Sequence, residues 1–352
     1  MIMRIEEAMI VDNRIKGFEL DNYGALPSFH TDQVSNINLV IGENGTGKTF
    51  FLKALYSAVR SAEEYRRGDD IRSFSDILSE KLRWTFQVEK LGDMVARSSK
   101  ENLSFDLVLG EQRISYRFTE SASSRVNGIF LPGTGRDSNS VFIPAKEVLS
   151  LYNIILKSRE IDQTFGFDDT YYDLAKALRI APSRGKNYSA FSKSRKALTG
   201  IVDGKVDYDK NSGKWFYKNS RGQKFSIGAT AEGIKKISIM DRLLANGYLN
   251  DQSIIFIDEL ESALHPDAIC SFLDMIGTLA KNMGIQFFIS SHSYFVIKKL
   301  SLIAMKARGL VTCISLGKDR EPTICDLYDG MPDNSIIDAS IRLYEQEIEE
   351  GL

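Results

Sequence analysis

Gly42-Glu43-Asn44-Gly45-Thr46-Gly47-Lys48-Thr49 fills every fixed position of the pattern G-x-x-x-x-G-K-[ST]. Its flanks agree with it. Ile37-Asn-Leu-Val-Ile41 reads as a short buried strand running into the first glycine. Past Lys48, Leu52, Leu55, Tyr56 and Val59 fall on one helical face, at i, i+3, i+4 and i+7. Glycines between strand and helix let the backbone curl until its N–H groups face phosphate oxygens. The helix start adds its positive end. Gly42, Asn44, Gly45, Thr46, Gly47, Lys48 and Thr49 are therefore the expected ATP-binding set. Lys48 is placed to reach the β- and γ-phosphates, and Thr49 to ligate Mg²⁺.

The 352 residues, 43% of them hydrophobic, suffice for one large domain or a domain with an insertion. This composition excludes collagen-like, mucin-like and globally disordered chains. Forty-five basic residues against 47 acidic ones exclude a globally basic nucleic-acid coat, but leave room for a local patch. Cys270, Cys313 and Cys325 are too few and too scattered for a disulfide framework or a zinc site. No run approaches the ~18 apolar residues that span a bilayer. Met1-Ile-Met-Arg-Ile-Glu-Glu7 lacks a signal-peptide core. The expectation is a cytoplasmic protein with no membrane partner.

There is no internal repeat. Residues 61–75 read as a surface connection. From 82 to 119, alternation of Trp84, Phe86 and Val88, then Phe105, Leu107 and Leu109, then Ile114, Tyr116 and Phe118 predicts antiparallel strands. Residues 120–139 read as a loop, and Val141-Phe-Ile-Pro144 as a strand. Residues 145–200 look helical, and 205–225 contain a hairpin around Asn211-Ser-Gly213. Ile234, Ile237, Met240, Leu243 and Leu244 mark a helix stopped at Gly247. A strand at 253–258, a helix from Pro266 to Met283 and a strand at 285–290 follow. Strand–helix–strand order predicts a parallel α/β core. The expected layout is one domain over 1–352, with a β-rich arm at about 82–140, a helical and hairpin insertion at 145–225, and a C-terminal helix with an acidic tail at 326–352.

Two further motifs stand at strand ends. Ile254-Ile-Phe-Ile-Asp258-Glu259 puts Asp258 beside Mg²⁺, and Glu259 one residue on, where it can polarise an attacking water. Ile289-Ser-Ser-His292-Ser293 puts His292 at a neighbouring tip, where it can touch a γ-phosphate. The separation, 258 − 48 = 210 residues, is too long for a ring-forming AAA+ protein or a small kinase.

These pieces resemble the ABC-type ATPases of the clade that holds RecF, Rad50, the SMC proteins and the OLD nucleases. More closely, the chain resembles AAA_15/AAA_21-type ATPases of bacterial anti-phage and plasmid-competition operons. The resemblance rests on 41–52, 141–150, 229–244, 254–266 and 289–293, with Gly330-Met-Pro-Asp-Asn334 and 336–344 in addition. It implies an α/β ABC-type phosphate-loop core with an antiparallel β subdomain and a helical insertion. It also implies a head-to-head homodimer that sandwiches two ATP molecules between the phosphate loop of one chain and a signature helix of the other. The signature segment is Thr230-Ala-Glu-Gly233, with Thr230 and Gly233 as further nucleotide-binding residues. Ala231 and Glu232 depart from the usual Ser-Gly, with Thr230 as a displaced hydroxyl. Ser262-Ala-Leu264 stands where the family has its D-loop, and Glu147 where it has a Q-loop glutamine. His265 reads as structural.

Two charge asymmetries remain. Residues 174–202 hold Lys176, Arg179, Arg184, Lys186, Lys193, Arg195 and Lys196 with no acid, a candidate nucleic-acid contact. Residues 326–352 hold eight acids against Arg342 alone. Within them Ile337, Ile341 and Tyr344 form one apolar helical face, expected to pack on the domain. The reading that unites these features is an ATP-hydrolysing dimer acting as sensor or scaffold in a defence system, with an effector encoded nearby. A RecF-like repair ATPase is the alternative. An ABC transporter subunit fits less well, given the altered signature and the long spacing.

Overall fold

The computed structural model describes residues 12–97, 101–130, 133–182, 188–318 and 321–351. At its centre five parallel strands run in the order β13-β3-β12-β11-β7. They are β3 (Ile37–Gly42), β7 (Ser140–Ile143), β11 (Ile254–Ile257), β12 (Gln286–Ser291) and β13 (Val311–Leu316). An antiparallel edge strand, β14 (Thr323–Asp326), pairs with β13 and sets Cys313 opposite Cys325. Every residue of β3, β7, β11, β12 and β13 is buried, as strands covered on both faces require.

Alternate residues feed two cores. Leu39, Ile41, Ile255, Ile257, Phe287 and Ile289 face one side. Val40, Phe142, Phe256, Phe288 and Ile314 face the other. On the first side lie α5 (Tyr188–Val202), α6 (Glu232–Ala245), α7 (Pro266–Met283) and α8 (Tyr294–Ala304). On the second lies α1 (Lys48–Glu64), which buries Phe51, Leu52, Leu55, Tyr56 and Val59.

Beyond α1 sits an antiparallel sheet, order β2-β1-β4-β5-β6. Its strands are β1 (Ile15–Asp21), β2 (Phe29–Thr31), β4 (Leu103–Leu109), β5 (Gln112–Phe118) and β6 (Asn127–Phe130). Phe18, Leu20, Phe105, Leu107, Ile114 and Tyr116 share the core that α1 fills. A short meander of β8 (Gly204–Asp209), β9 (Lys214–Asn219) and β10 (Lys224–Ser226) carries the expected hairpin, with Gly213 at φ 66° in its turn.

The strand expected at Trp84, Phe86 and Val88 is instead the end of a helix, α2 (Phe74–Phe86), with Val88 two residues past it. Ser73 caps that helix by accepting the Asp76 N–H, and Asp76 accepts the Ser73 hydroxyl. Buried Phe74, Ile77, Leu78, Leu82 and Thr85 give a helical period that alternation from residue 82 onward hides. The loop expected over 120–139 contains β6. The connection expected from residue 61 begins later, because α1 runs on to Glu64.

Between α2 and β7 of the central sheet stands α4 (Asp169–Arg179), and α3 (Tyr152–Glu160) packs on α4. A buried ionic group ties them to α1 and α2. Lys81 Nζ lies 2.9 Å from Asp169 and 2.9 Å from Asp173, and 3.2 Å from Glu64. Tyr56 donates to Asp173 at 2.8 Å. Glu63, buried in α1, pairs with Arg60 and Arg136.

The last helix, α9 (Ser335–Glu349), corrects the expected packing. Ile336 and Ile337 touch the core. Ile341 and Tyr344 do not; they are 50% and 64% exposed, beside Leu343 and Ile348 at 69% and 59%. Asn334 caps the helix through the Ile336 N–H and donates to Ser315 of β13 at 2.6 Å. Only the first turn is thus anchored, and the apolar stripe beyond it faces solvent.

Candidate active site

The register of the parallel sheet assembles the site. Ser291 pairs with Ile41, and Ile257 with Ile289, so β3, β11 and β12 end side by side. Their loops carry the phosphate loop, the Asp258-Glu259 pair and His292. Ligands of open α/β sheets bind at such carboxyl ends.

In the phosphate loop, Gly42, Gly45 and Gly47 all have positive φ, at 152°, 81° and 87°. A side chain at Gly42 would collide with the Leu316 carbonyl, and one at Gly47 with Leu26. The Thr46 hydroxyl donates to the Glu43 carbonyl at 2.9 Å, closing the loop on itself. Lys48 lies across that loop, donating to the carbonyls of Gly42 and Glu43, each at 2.8 Å. Burial pulls the Lys48 ammonium below its usual range, while Asp258, Glu259 and Glu261 oppose that shift. Its donors stand ready for an anion that enters the loop.

Directly below, the Thr49 hydroxyl donates to both oxygens of Asp258, at 3.0 and 2.9 Å. Ser290 donates to Asp258 at 2.6 Å and accepts the Glu259 N–H at 2.9 Å. Hydroxyl and carboxylate oxygens are the hard donors that Mg²⁺ selects. Thr49 and Asp258 therefore fit the ion, and it would neutralise charge between bound phosphates. Glu259 is half-buried, with φ 44°. It borders an open cavity of about 630 Å³, lined also by Thr49, Lys53, Pro144, Asp168, Tyr171 and Asp258.

His292 stands at the tip of β12 with its side chain 46% exposed. Its backbone N–H donates to Glu261 at 2.8 Å, and Nδ1 lies 3.4 Å from the same carboxylate. Glu261 and Ser290 are site residues that the sequence reading did not single out. Ser290 was hidden inside a strand. Glu261 was legible only as a third acid after Asp258-Glu259.

The signature segment opens α6. Its cap residue Ala231 makes no side-chain bond to the helix. The Thr230 hydroxyl is turned inward to the Ser226 carbonyl at 3.0 Å, and Thr230 is 8% exposed. Gly233 faces Ala263, whose φ is 63°. A Cβ on Gly233 would lie 2.6 Å from the Ala263 carbonyl oxygen. Glu147 binds the Ser150 N–H with both oxygens at 3.0 Å and lies 3.5 Å from Lys235. It acts as a local brace. His265 caps α7 through the Asp267 N–H at 3.3 Å, the structural role expected of it.

A family model described as "AAA domain, putative AbiEii toxin, Type IV TA system" matches residues 37–298. The chain belongs to that family. No curated protein matches it. Among solved structures it resembles an SMC head bound to the C-winged helix domain of ScpA, at 13% identity and TM-score 0.54, covering 90% of this chain and 98% of that one. An SMC head from Thermotoga maritima matches at 13% identity and TM-score 0.45, over 89% of this chain and 98% of that one. An SMC head from Pyrococcus furiosus, bound to the C-terminal domain of ScpA, matches at 11% and 0.49, over 95% and 99%. The AAA-family core thus has the ABC-type phosphate-loop ATPase fold of SMC heads. Among the described residues, no helix is long and apolar enough to cross a membrane.

Proposed function

We propose that this chain binds ATP with Mg²⁺ and hydrolyses it, with Glu259 as general base. The observation that carries this reading is the Thr49–Asp258–Ser290–Glu259 chain of hydrogen bonds beneath an intact phosphate loop. Lys48 binds the phosphates, Thr49 and Asp258 hold the ion, and His292 stands on the γ-phosphate side. In a head-to-head dimer the Gly233 start of α6 faces the nucleotide of a second copy, and Thr230, its hydroxyl held by the Ser226 carbonyl, shapes that start from within. The working role is that of a sensor or scaffold in a bacterial defence system whose effector is a separate chain. The family description, which names a toxin and a toxin–antitoxin system, supports that setting.

Phosphate release and molar mass test the proposal together. ATP with Mg²⁺ should be turned over, and should shift the purified chain toward a dimer. Turnover absent in a chain that binds ATP tightly would remove the hydrolytic role. A monomer at saturating ATP would remove the sandwich.

A further inference from the structure

Lys236 stands one turn into α6 and is 7% exposed. Its ammonium donates to the carbonyls of Asp258 and Glu259, at 3.2 and 2.6 Å. Both acceptors are backbone, in the turn that leaves β11. That turn is strained. Glu259 and Ala263 both occupy the left-handed region, which side chains other than glycine rarely adopt. Such a conformation persists only where its surroundings over-determine it. Ser290 takes the Glu259 N–H, and Lys236 takes its carbonyl, so the Glu259 residue is gripped at both ends. The same helix meets the same loop again at Gly233, pressed against the Ala263 carbonyl.

We propose that Lys236 is a positioning residue for Glu259. Its ammonium fixes the turn that presents the Glu259 carboxylate, and it makes the tilt of α6 and the pose of Glu259 a single variable. Movement of the Gly233 end of α6 is thereby felt at the Glu259 of the same chain. The catalytic part of this inference rests on reading Glu259 as the general base.

The groups facing Lys236 are Asp258, Glu259 and Glu261 on the loop, and Lys48 on α1 faces the same three acids. On α6 itself, Lys235 pairs with Glu232 at 2.8 Å. Burial brings Lys236 down to about 8, against the pull of Glu261, Asp258 and Glu259.

Three measurements on the full-length protein test this. Lys236→Met should lower kcat on the order of 100-fold, the cost of a misplaced catalytic group, with KM for ATP nearly unchanged. Hydrogen exchange in Lys236→Met should rise at residues 259–264 and stay at wild-type rates elsewhere. Lys236→Arg, whose guanidinium can still donate to the same two carbonyls, should keep turnover within a fewfold of wild type. Wild-type turnover and protection in Lys236→Met would overturn the proposal. So would a uniform loss of protection with a lower melting temperature, which marks a merely structural lysine. Glu259→Gln separates the two readings. If it keeps turnover while Lys236→Met loosens only 259–264, the general base is elsewhere and the positioning of the turn stands.

Discussion

The Thr49 hydroxyl reaches both carboxylate oxygens of Asp258 across 209 residues of sequence. One side chain opens α1 and the other ends β11, so their meeting depends on β3 and β11 flanking β12 in register. A carboxylate held this way is a ligand in waiting. Asp258→Asn should leave the fold intact, because Thr49 and Ser290 still find an acceptor. It should, however, abolish the dependence of ATP affinity on Mg²⁺. Titrating a fluorescent ATP analogue with Mg²⁺ and with EDTA checks this. Equal Mg²⁺ dependence in the variant and the wild type would detach Asp258 from the ion.

Glu259→Gln should abolish turnover and retain ATP, accumulating the nucleotide-bound dimer. Lys48→Ala should act earlier, weakening nucleotide binding itself through loss of a charge-assisted contact worth about 1.5–3 kcal/mol. Binding isotherms beside phosphate-release rates distinguish the two. Turnover within a fewfold of wild type in Glu259→Gln would exclude it as the base.

The ionic group around Lys81 predicts a stability effect remote from the chemistry. Lys81→Met leaves the buried Asp169 and Asp173 carboxylates without their shared ammonium. Breaking one side of a buried pair costs about 3–5 kcal/mol. Urea unfolding should show a loss of that size. A loss below about 1 kcal/mol would mean that water or Arg60 and Arg159 replace the ammonium.

What the sequence disclosed follows a physical division. Strands covered on both faces, such as Ile254–Ile257, announce themselves as short apolar runs, and the motifs at their tips come with them. Pro266 and Gly284 bracket α7 because proline suits a helix start and glycine a left-handed stop, here at φ 73°. By contrast, α2 was obscured because apolar and polar residue types alternate at its end, in Trp84-Thr85-Phe86, although Trp84 and Thr85 are both buried. Ser290 and Lys236 were illegible as site residues. One is a strand residue and the other a basic helix residue, and only the three-dimensional meeting of β11, β12 and α6 gives them partners. The apolar stripe of α9 was legible, but not its exposure, since periodicity reports a face and not what covers it.

The basic stretch 174–202 is less uniform in space than in sequence. Lys176 pairs with Asp173 at 3.3 Å and Arg195 with Asp241 at 2.9 Å. Arg179, Lys193 and Lys196 are exposed. Arg184 and Lys186 lie outside the described residues. If the chain contacts a phosphate backbone here, Lys193 and Lys196 are the contacts on α5. Changing both to Glu should then weaken binding to duplex DNA and reduce the slope of log affinity against log salt by about 2. Fluorescence anisotropy at several salt concentrations measures it. An unchanged slope, or no binding by the wild type, would return α5 to a solvated helical face.

The exposed stripe of α9 sets the last prediction. Ile341, Tyr344 and Ile348 recur at spacings of three and four, on a helix whose anchoring ends with Ile336 and Ile337. Asp338, Glu345, Glu347 and Glu349 surround that stripe with negative charge. An apolar seam rimmed by acids suits a partner that brings its own apolar face and basic flanks. Removing residues 341–352 should therefore leave melting temperature and ATP turnover at wild-type values, because among the described residues no buried side chain is lost. If the proposed separate effector docks on this stripe, the same truncation should abolish its co-purification. Removing residues 335–352 also strips Ile336 and Ile337 from the core, and should cost about 1–3 kcal/mol of stability. Melting curves, turnover and co-purification for both truncations decide the matter. A lower melting temperature in the shorter truncation would show that the stripe is already covered within the chain. Full effector retention in that variant would place the docking surface elsewhere.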